Sequence, residues 1–349
     1  MNPIISLTLL LTVILGTFIV LLRSNWFSIW LGLEINTLAF LPILVSTHHP
    51  RATEATTKYF LIQALASAIF LISGMVQGCV LWTWSTNYFV LLIPNILILL
   101  VVALKMGIAP CHFWLPDVLQ GLPLQVGLIL STWQKVAPFS ILLVLPSQPI
   151  FLFFSVGIIS AIIGGWGGLN QTHTRKLLAY SSIAHLGWII TAYPLSPQLR
   201  TLSLSIYIIM TRAVFIAFSI LGAYNLADLG NAINFAPWLT ILSVFVILSL
   251  GGLPPLTGFL IKWFVLQELA SNASLIISAV LIFASLISLF FYLRISYILL
   301  LTLSPQHSIT SITWRSAQYA TLANPPLAII IATRVLGLIL PTAWLPIFF

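Results

Sequence analysis

Apolar runs of about 20 residues recur along the whole chain, each long enough to cross the hydrocarbon core of a bilayer as one helix. Eleven spans are predicted, at 3–22, 26–45, 59–81, 88–108, 123–145, 149–168, 177–193, 201–223, 238–270, 273–301 and 327–345. The ninth is too long for one simple crossing and is interrupted by Gly251-Gly252-Leu253-Pro254-Pro255. Alternating apolar and polar segments of about ten residues, the pattern of a membrane β-barrel, are absent. Trp26, Tyr59, Tyr88, Tyr193 and Trp238 stand at expected span ends, as an interfacial aromatic belt requires. The expected fold is an all-α polytopic membrane protein.

Composition agrees. Of 349 residues, 60% are hydrophobic, and only 13 are Lys or Arg and 5 Asp or Glu. A soluble domain of this length carries roughly 87 charged residues. That deficit excludes an ordinary soluble enzyme. The net charge of +8 reflects scarce acids and forms no basic patch, which argues against nucleic acid as a partner. Cys79 and Cys111 follow no metal or haem spacing. No basic n-region precedes the first apolar run, so it is read as a retained span. Loops after even-numbered spans hold Arg51, Lys58, Arg175, Lys176 and Arg315, against Arg23 and Arg200 after odd ones. The even loops, and the N-terminus with them, are therefore expected on the positive side.

The fourth and ninth spans each place a Lys beside a Gly/Pro interruption: Lys105-Met-Gly107-Ile-Ala-Pro110, and Gly251 to Pro255 followed by Gly258 and Lys262. Five helices separate the two, so two five-helix units, 1–148 and 149–301, have opposite topology, with a loop and a last helix in 302–349. Paired broken helices in inverted halves point to a transport site.

Charges inside the spans are candidates for function, because each costs about 2.5–3.5 kcal/mol at mid-membrane. Glu34 lies about 12 Å into the second span at 1.5 Å per residue. Lys135 lies near the middle of the fifth, Lys105 and Lys262 flank the breaks, and His185 and Arg212 are mid-span. Other readings stand beside this one. Glu34 could be a structural carboxylate paired with a Lys, and Lys105 could snorkel to an interface. Lys135 could do so only by crossing about 15 Å. His185 could be a hydrogen-bonded core residue, and His112 stands in a loop. Arg294 and Arg334 are expected to snorkel, and Glu54 and Glu268 to cap or pair locally.

Three lysines, a glutamate and two histidines on several helices suit a proton relay through water. No Ca²⁺ or Mg²⁺ cluster, catalytic triad, haem pair or phosphate loop is recognisable in the sequence. Moving one charge against about 200 mV costs about 4.6 kcal/mol. That is three to four decades of proton affinity at about 1.36 kcal/mol per decade, within the range that burial and a mobile carboxylate produce.

Several segments are together similar to one family: Trp30-Leu-Gly-Leu-Glu34-Ile-Asn36, Pro50-Arg-Ala-Thr-Glu54, Lys105 to Asp117, Thr132-Trp-Gln-Lys135, Gly165 to Gln171, Arg175 to Trp188 and Leu250 to Trp263. They resemble the chain 2 family of NADH–ubiquinone oxidoreductase, respiratory complex I, over nearly the whole chain and only loosely in the last 50 residues. The resemblance implies an antiporter-like subunit of the mitochondrial inner membrane, multi-pass, with the N-terminus on the matrix side. Such a subunit belongs to the H⁺-translocating NADH:ubiquinone reductase but does no redox chemistry itself. NADH, FMN, iron–sulfur clusters and ubiquinone are handled elsewhere in the complex. Other membrane-arm subunits and bilayer lipid, cardiolipin included, are the implied partners. Glu34 and Lys105 match the family's ion pair, Lys135 and Lys262 its further lysines, and His112 and His185 its hydrated axis. Arg212 departs from the family's small hydroxyl residues, and the 223–237 loop with Asp228 looks unlike the usual segment. The rival functions are a stand-alone cation/proton antiporter and a purely structural membrane-arm subunit.

Overall fold

With no water to satisfy it, backbone in lipid must bond to itself, and the described chain is helical throughout, without named strands. The structure is a computed structural model that describes residues 3–22, 25–82, 84–85, 91–144, 150–235, 237–254 and 256–301. The expected eleventh span, with Arg315 and Arg334, and the loop residue Arg23 lie outside these.

The helices are α1 (Pro3–Leu22), α2 (Trp26–Leu44), α3 (Pro50–Leu81), α4 (Leu92–Met106), α5 (Trp114–Gly121), α6 (Leu124–Thr132), α7 (Val136–Val144), α8 (Ile150–Gly168), α9 (Thr174–Ala192), α10 (Pro197–Leu221), α11 (Leu226–Phe235), α12 (Pro237–Gly251), α13 (Thr257–Ser271) and α14 (Leu275–Leu301). Two starts follow local chemistry. Pro50 and Pro197 open α3 and α10, where a missing N–H costs nothing. The His49 and Ser196 side chains accept from the backbone N–H of Arg51 and Leu199. Seven helices among the described residues are long and apolar enough to cross a membrane, and α4 and the Leu239–Gly251 stretch are shorter apolar helices.

The interrupted fourth and ninth spans are present, and three expectations change. The fifth span is present as one crossing, Leu124–Leu143, but it is not a uniform α-helix: a 3₁₀ turn, Trp133–Lys135, separates α6 from α7. The segment after His112 is not all loop, because α5 follows, and the 223–237 segment holds α11. Apolar length alone carries no signal for such breaks, and short amphipathic helices read as loops.

Contacts divide the chain into one unit ending at Val156 and another beginning at Gly157. In the first, α1 packs along α2, α2 on α3, and α3 on α4 and α5. Gly16 and Gly32 let α1 and α2 approach, since a Cβ on Gly16 would fall 2.9 Å from the Gly32 carbonyl oxygen. In the second, α9 contacts α10, α13 and α14. It carries Thr174, Ser181, Ser182, His185 and Thr191, and most of its residues are buried. Its neighbours shelter it from lipid and leave Ile276 and Phe283 of α14 exposed for that role. Buried hydroxyls such as Ser73, Ser140, Ser181 and Thr191 donate to carbonyls one turn back, which removes their desolvation cost.

Candidate functional site

In the first unit, Lys105 sits two residues before Gly107, which closes α4 in the left-handed conformation at φ 73°. The chain then breaks before α5, and Trp114 Nε1 donates to the Leu104 carbonyl at 3.0 Å, tying α5 to the end of α4. Lys105 is buried, and its Nζ has no hydrogen-bond partner among the described residues. Glu34, half-buried on α2, acts on Lys105 through its charge, and its Oε2 is likewise without a partner. The two face each other without direct contact, since the ion pairs within 4.0 Å among the described residues are Lys58–Glu54 and Lys58–Asp117. Those two lie on the surface, where such pairs contribute about 0–1 kcal/mol. His112 is buried in the break, its ring 4.3 Å from that of Phe113 and its Nδ1 unpartnered.

Lys135 ends the 3₁₀ turn that divides the fifth span and is among the largest fully buried side chains of the chain. The turn packs against α4, the helix that carries Lys105. Beside it, Gln134 Nε2 donates to Asn36 Oδ1 at 2.9 Å, which anchors the turn to α2 two residues from Glu34. Three buried, unpartnered atoms, Glu34 Oε2, Lys105 Nζ and His112 Nδ1, make this a site that calls for water.

In the second unit the chemistry centres on the α12–α13 break. Gly252 closes α12 at φ 81°. Lys262 Nζ donates to the Gly251 carbonyl at 2.8 Å, one of the oxygens that the helix end leaves without an intrahelical donor. The same ammonium lies 5.9 Å from the Trp188 ring centroid. His185 of α9 pairs with the Tyr292 hydroxyl at 3.2 Å, and its ring lies 6.0 Å from that of Tyr207. A cavity of about 10 Å³, bordered by His185, Trp188, Ser203, Tyr207, Gly258 and Lys262, has room for about one water.

The structure thus groups Glu34, Lys105, His112 and Lys135 within one unit and His185 with Lys262 in the other. Sequence reasoning missed Tyr207 and Tyr292, because an aromatic on an apolar helix reads as packing. Gln134 and Asn36 were legible, as neighbours of Lys135 and Glu34 in the motifs. Arg294 Nη1 donates to the Leu169 carbonyl at 2.9 Å, beyond the end of α8. Arg212 faces outward from α10. Among the described residues, no group of three or more His, Cys, Asp or Glu could hold a metal ion.

Gly252 has a testable steric role. A Cβ there would fall 2.8 Å from Lys262 Nζ, and any L side chain is strained at this φ. A Cβ on Gly251 meets nothing nearer than 3.6 Å. Gly252→Ala is expected to cost about 1–3 kcal/mol, and Gly251→Ala less than about 0.5 kcal/mol. Thermal unfolding in detergent measures both, and equal midpoints for the two variants would contradict the left-handed conformation that Gly252 adopts.

Two family descriptions match the chain. Residues 23–288 match "NADH:quinone oxidoreductase/Mrp antiporter, TM", and 289–345 match "NADH dehydrogenase subunit 2 C-terminus". NADH-ubiquinone oxidoreductase chain 2 of Squalus acanthias is 46% identical over 98% of this chain and 97% of its own length. The Bos taurus protein of the same name is 41% identical over 97% and 98%. Among solved structures, a chain of respiratory complex I from Thermus thermophilus superposes with a TM-score of 0.87 at 25% identity, covering 99% of this chain and 80% of that one. A chain of the Mrp complex from Dietzia gives 0.82 at 19% identity, over 95% and 73%, and so shares the fold.

Proposed function

The chain belongs to the NADH:quinone oxidoreductase/Mrp antiporter transmembrane family, and from that membership we propose that it is an antiporter-like, proton-translocating subunit in the membrane arm of NADH:ubiquinone oxidoreductase, respiratory complex I. The observation that carries the reading is the burial of Lys105, Lys135 and Lys262, each beside an interruption of a helix. Carbonyls and amides freed at such breaks can bind water and an ammonium group, and elsewhere in lipid an isolated charge is expelled. The chain works as a multi-pass membrane subunit among other membrane-arm subunits. Flavin and iron–sulfur chemistry lies in other subunits of the complex.

In this reading Glu34, Lys105, Lys135, Lys262, His112 and His185 form the relay. Quinone reduction elsewhere changes the distance between Glu34 and Lys105, and a carboxylate that draws away from a buried ammonium favours loss of its proton. Lys262 exchanges its bond to the Gly251 carbonyl for a water in the adjoining cavity, and His185, held by Tyr292, takes up or releases the proton there. Residues 1–148 and 149–301 act as two inverted five-helix units. The basic residues near the starts of α3 and α9, Arg51, Lys58, Arg175 and Lys176, support an N-terminus on the matrix side of the mitochondrial inner membrane. Arg175 and Lys176 at the start of α9 suit an anionic lipid headgroup such as that of cardiolipin.

Lys262→Met in the assembled complex tests the reading. NADH:ubiquinone turnover and proton uptake in sealed vesicles are expected to fall together by about tenfold or more, since a positioned proton-transfer group is removed. A purely structural subunit predicts no change in either when a native gel shows normal assembly. A stand-alone antiporter predicts that the chain alone dissipates a pH gradient in liposomes.

A further inference from the structure

The outward face of α10 differs from the other outward faces. On α1 the exposed large side chains include Leu7, Leu11, Leu15, Phe18 and Leu22, and on α14 they include Ile276, Phe283, Leu286, Phe290 and Leu293, as lipid contact requires. On α10, beyond Pro197 and Gln198 of its first turn, the exposed residues follow a narrow stripe, Thr201, Ser205, Ile209 and Arg212, at spacings of four, four and three. Hydroxyl-bearing and small residues are what helix–helix contacts in membranes use. Arg212 lies fifteen residues after Pro197 and nine before Leu221 in this 25-residue helix. It is therefore about 4–5 Å from the helix midpoint and about 13 Å from the nearer end. An ionisable residue at that depth almost always faces protein.

No hydrogen bond or ion pair joins Arg212 to any described residue, and the chain has no carboxylate to spare for it. Its five acids are Glu34, Glu54, Asp117, Asp228 and Glu268. Glu54 and Asp117 hold Lys58. Asp228 accepts the Tyr224 and Asn225 amides. Glu34 faces Lys105. Glu268 borders a small cavity with Leu199 and Leu202, at least ten residues and so about 15 Å along α10 from Arg212. Residues 302–349 contain no Asp or Glu.

We propose that the Thr201–Ser205–Ile209–Arg212 face is a docking surface for a transmembrane helix of another chain, which brings a carboxylate to mid-membrane depth opposite Arg212. The planar guanidinium suits a two-point bond to that carboxylate, and the hydroxyl-lined stripe lets the two helices approach closely. The inference goes beyond the proton relay and does not depend on it.

The test uses the assembled complex in its membrane. Benzophenone-maleimide on Ser205→Cys, in a Cys79→Ser, Cys111→Ser background, is photolysed and the adducts are mapped. The expected adduct is one transmembrane helix of another subunit with an Asp or Glu within a turn of the attachment point. Arg212→Met then raises detergent release of that subunit about tenfold or more, as loss of one partner of a buried pair implies. Arg212→Lys raises it less, and Arg212→Glu combined with a basic residue at the partner's acid restores retention. Adducts with phospholipid alone, adducts with a helix lacking an acid, or unchanged release in Arg212→Met each overturn the proposal.

Discussion

Lys135→Met is expected to lower NADH:ubiquinone turnover and proton uptake together, by about tenfold or more, in a complex that still assembles. Met has nearly the length of Lys and adapts its shape to a core. The 3₁₀ turn keeps its packing on α4 and its Gln134–Asn36 bond. What disappears is one ammonium enclosed in the protein interior, where a charge is costly to hold. A tenfold fall corresponds to about 1.4 kcal/mol of barrier, small beside the cost of burying that charge, so a real role should be easy to see. Turnover and uptake in sealed vesicles, with a native gel for assembly, measure it. Normal turnover with a reduced proton yield would make this subunit a separable channel. No change in either would remove Lys135 from the relay.

The second large effect concerns Glu34 and Lys105. Glu34→Gln leaves the Lys105 ammonium buried, without a hydrogen-bond partner among the described residues and without the facing carboxylate. Breaking a directly bonded, buried pair costs about 3–5 kcal/mol; with Glu34 half-buried and no ion pair within 4.0 Å the cost is smaller but has the same sign, because the Lys105 charge stays behind uncompensated. Replacing both by neutral groups is far milder. Glu34→Gln should therefore deplete the assembled complex on a native gel, and adding Lys105→Met should bring assembly back without restoring proton pumping. An improvement on adding a second mutation separates a charge-pair effect from simple packing damage. Equal depletion in the single and double variants, or normal assembly of Glu34→Gln alone, would mean that the two residues do not interact energetically.

Much of this site could be read before any coordinates. The interruption at Gly107 and the one at Gly251 to Pro255 announce themselves through Gly and Pro, residues that end helices for backbone reasons that hold in any surroundings. The buried lysines stand out because charge inside an apolar run has no ordinary explanation. The break at Trp133–Lys135 holds no Gly or Pro itself, but Pro138 follows it, and its missing N–H and its ring disrupt the helix at the Gln134 carbonyl four residues back. Tyr292, by contrast, was silent. It lies 107 positions from His185, and nothing in an apolar stretch reports which of its aromatics will meet a histidine.

The sequence by itself determined that the chain is membrane-embedded and helical, where its paired interruptions lie, which charges stand inside the spans, and which family it joins. Those follow from local chemistry: apolar length, backbone groups that must be satisfied within the helix, and the cost of charge in hydrocarbon. Tertiary structure alone decided that Lys262 binds the Gly251 carbonyl, that Tyr292 meets His185, and that Arg212 points outward instead of joining a polar axis. Lipid and a helix neighbour are both apolar, so the apolar positions of a span carry little record of which face meets which. Only the packing of small residues such as Gly16 on Gly32, and the placement of each polar group against its partner, resolves that choice.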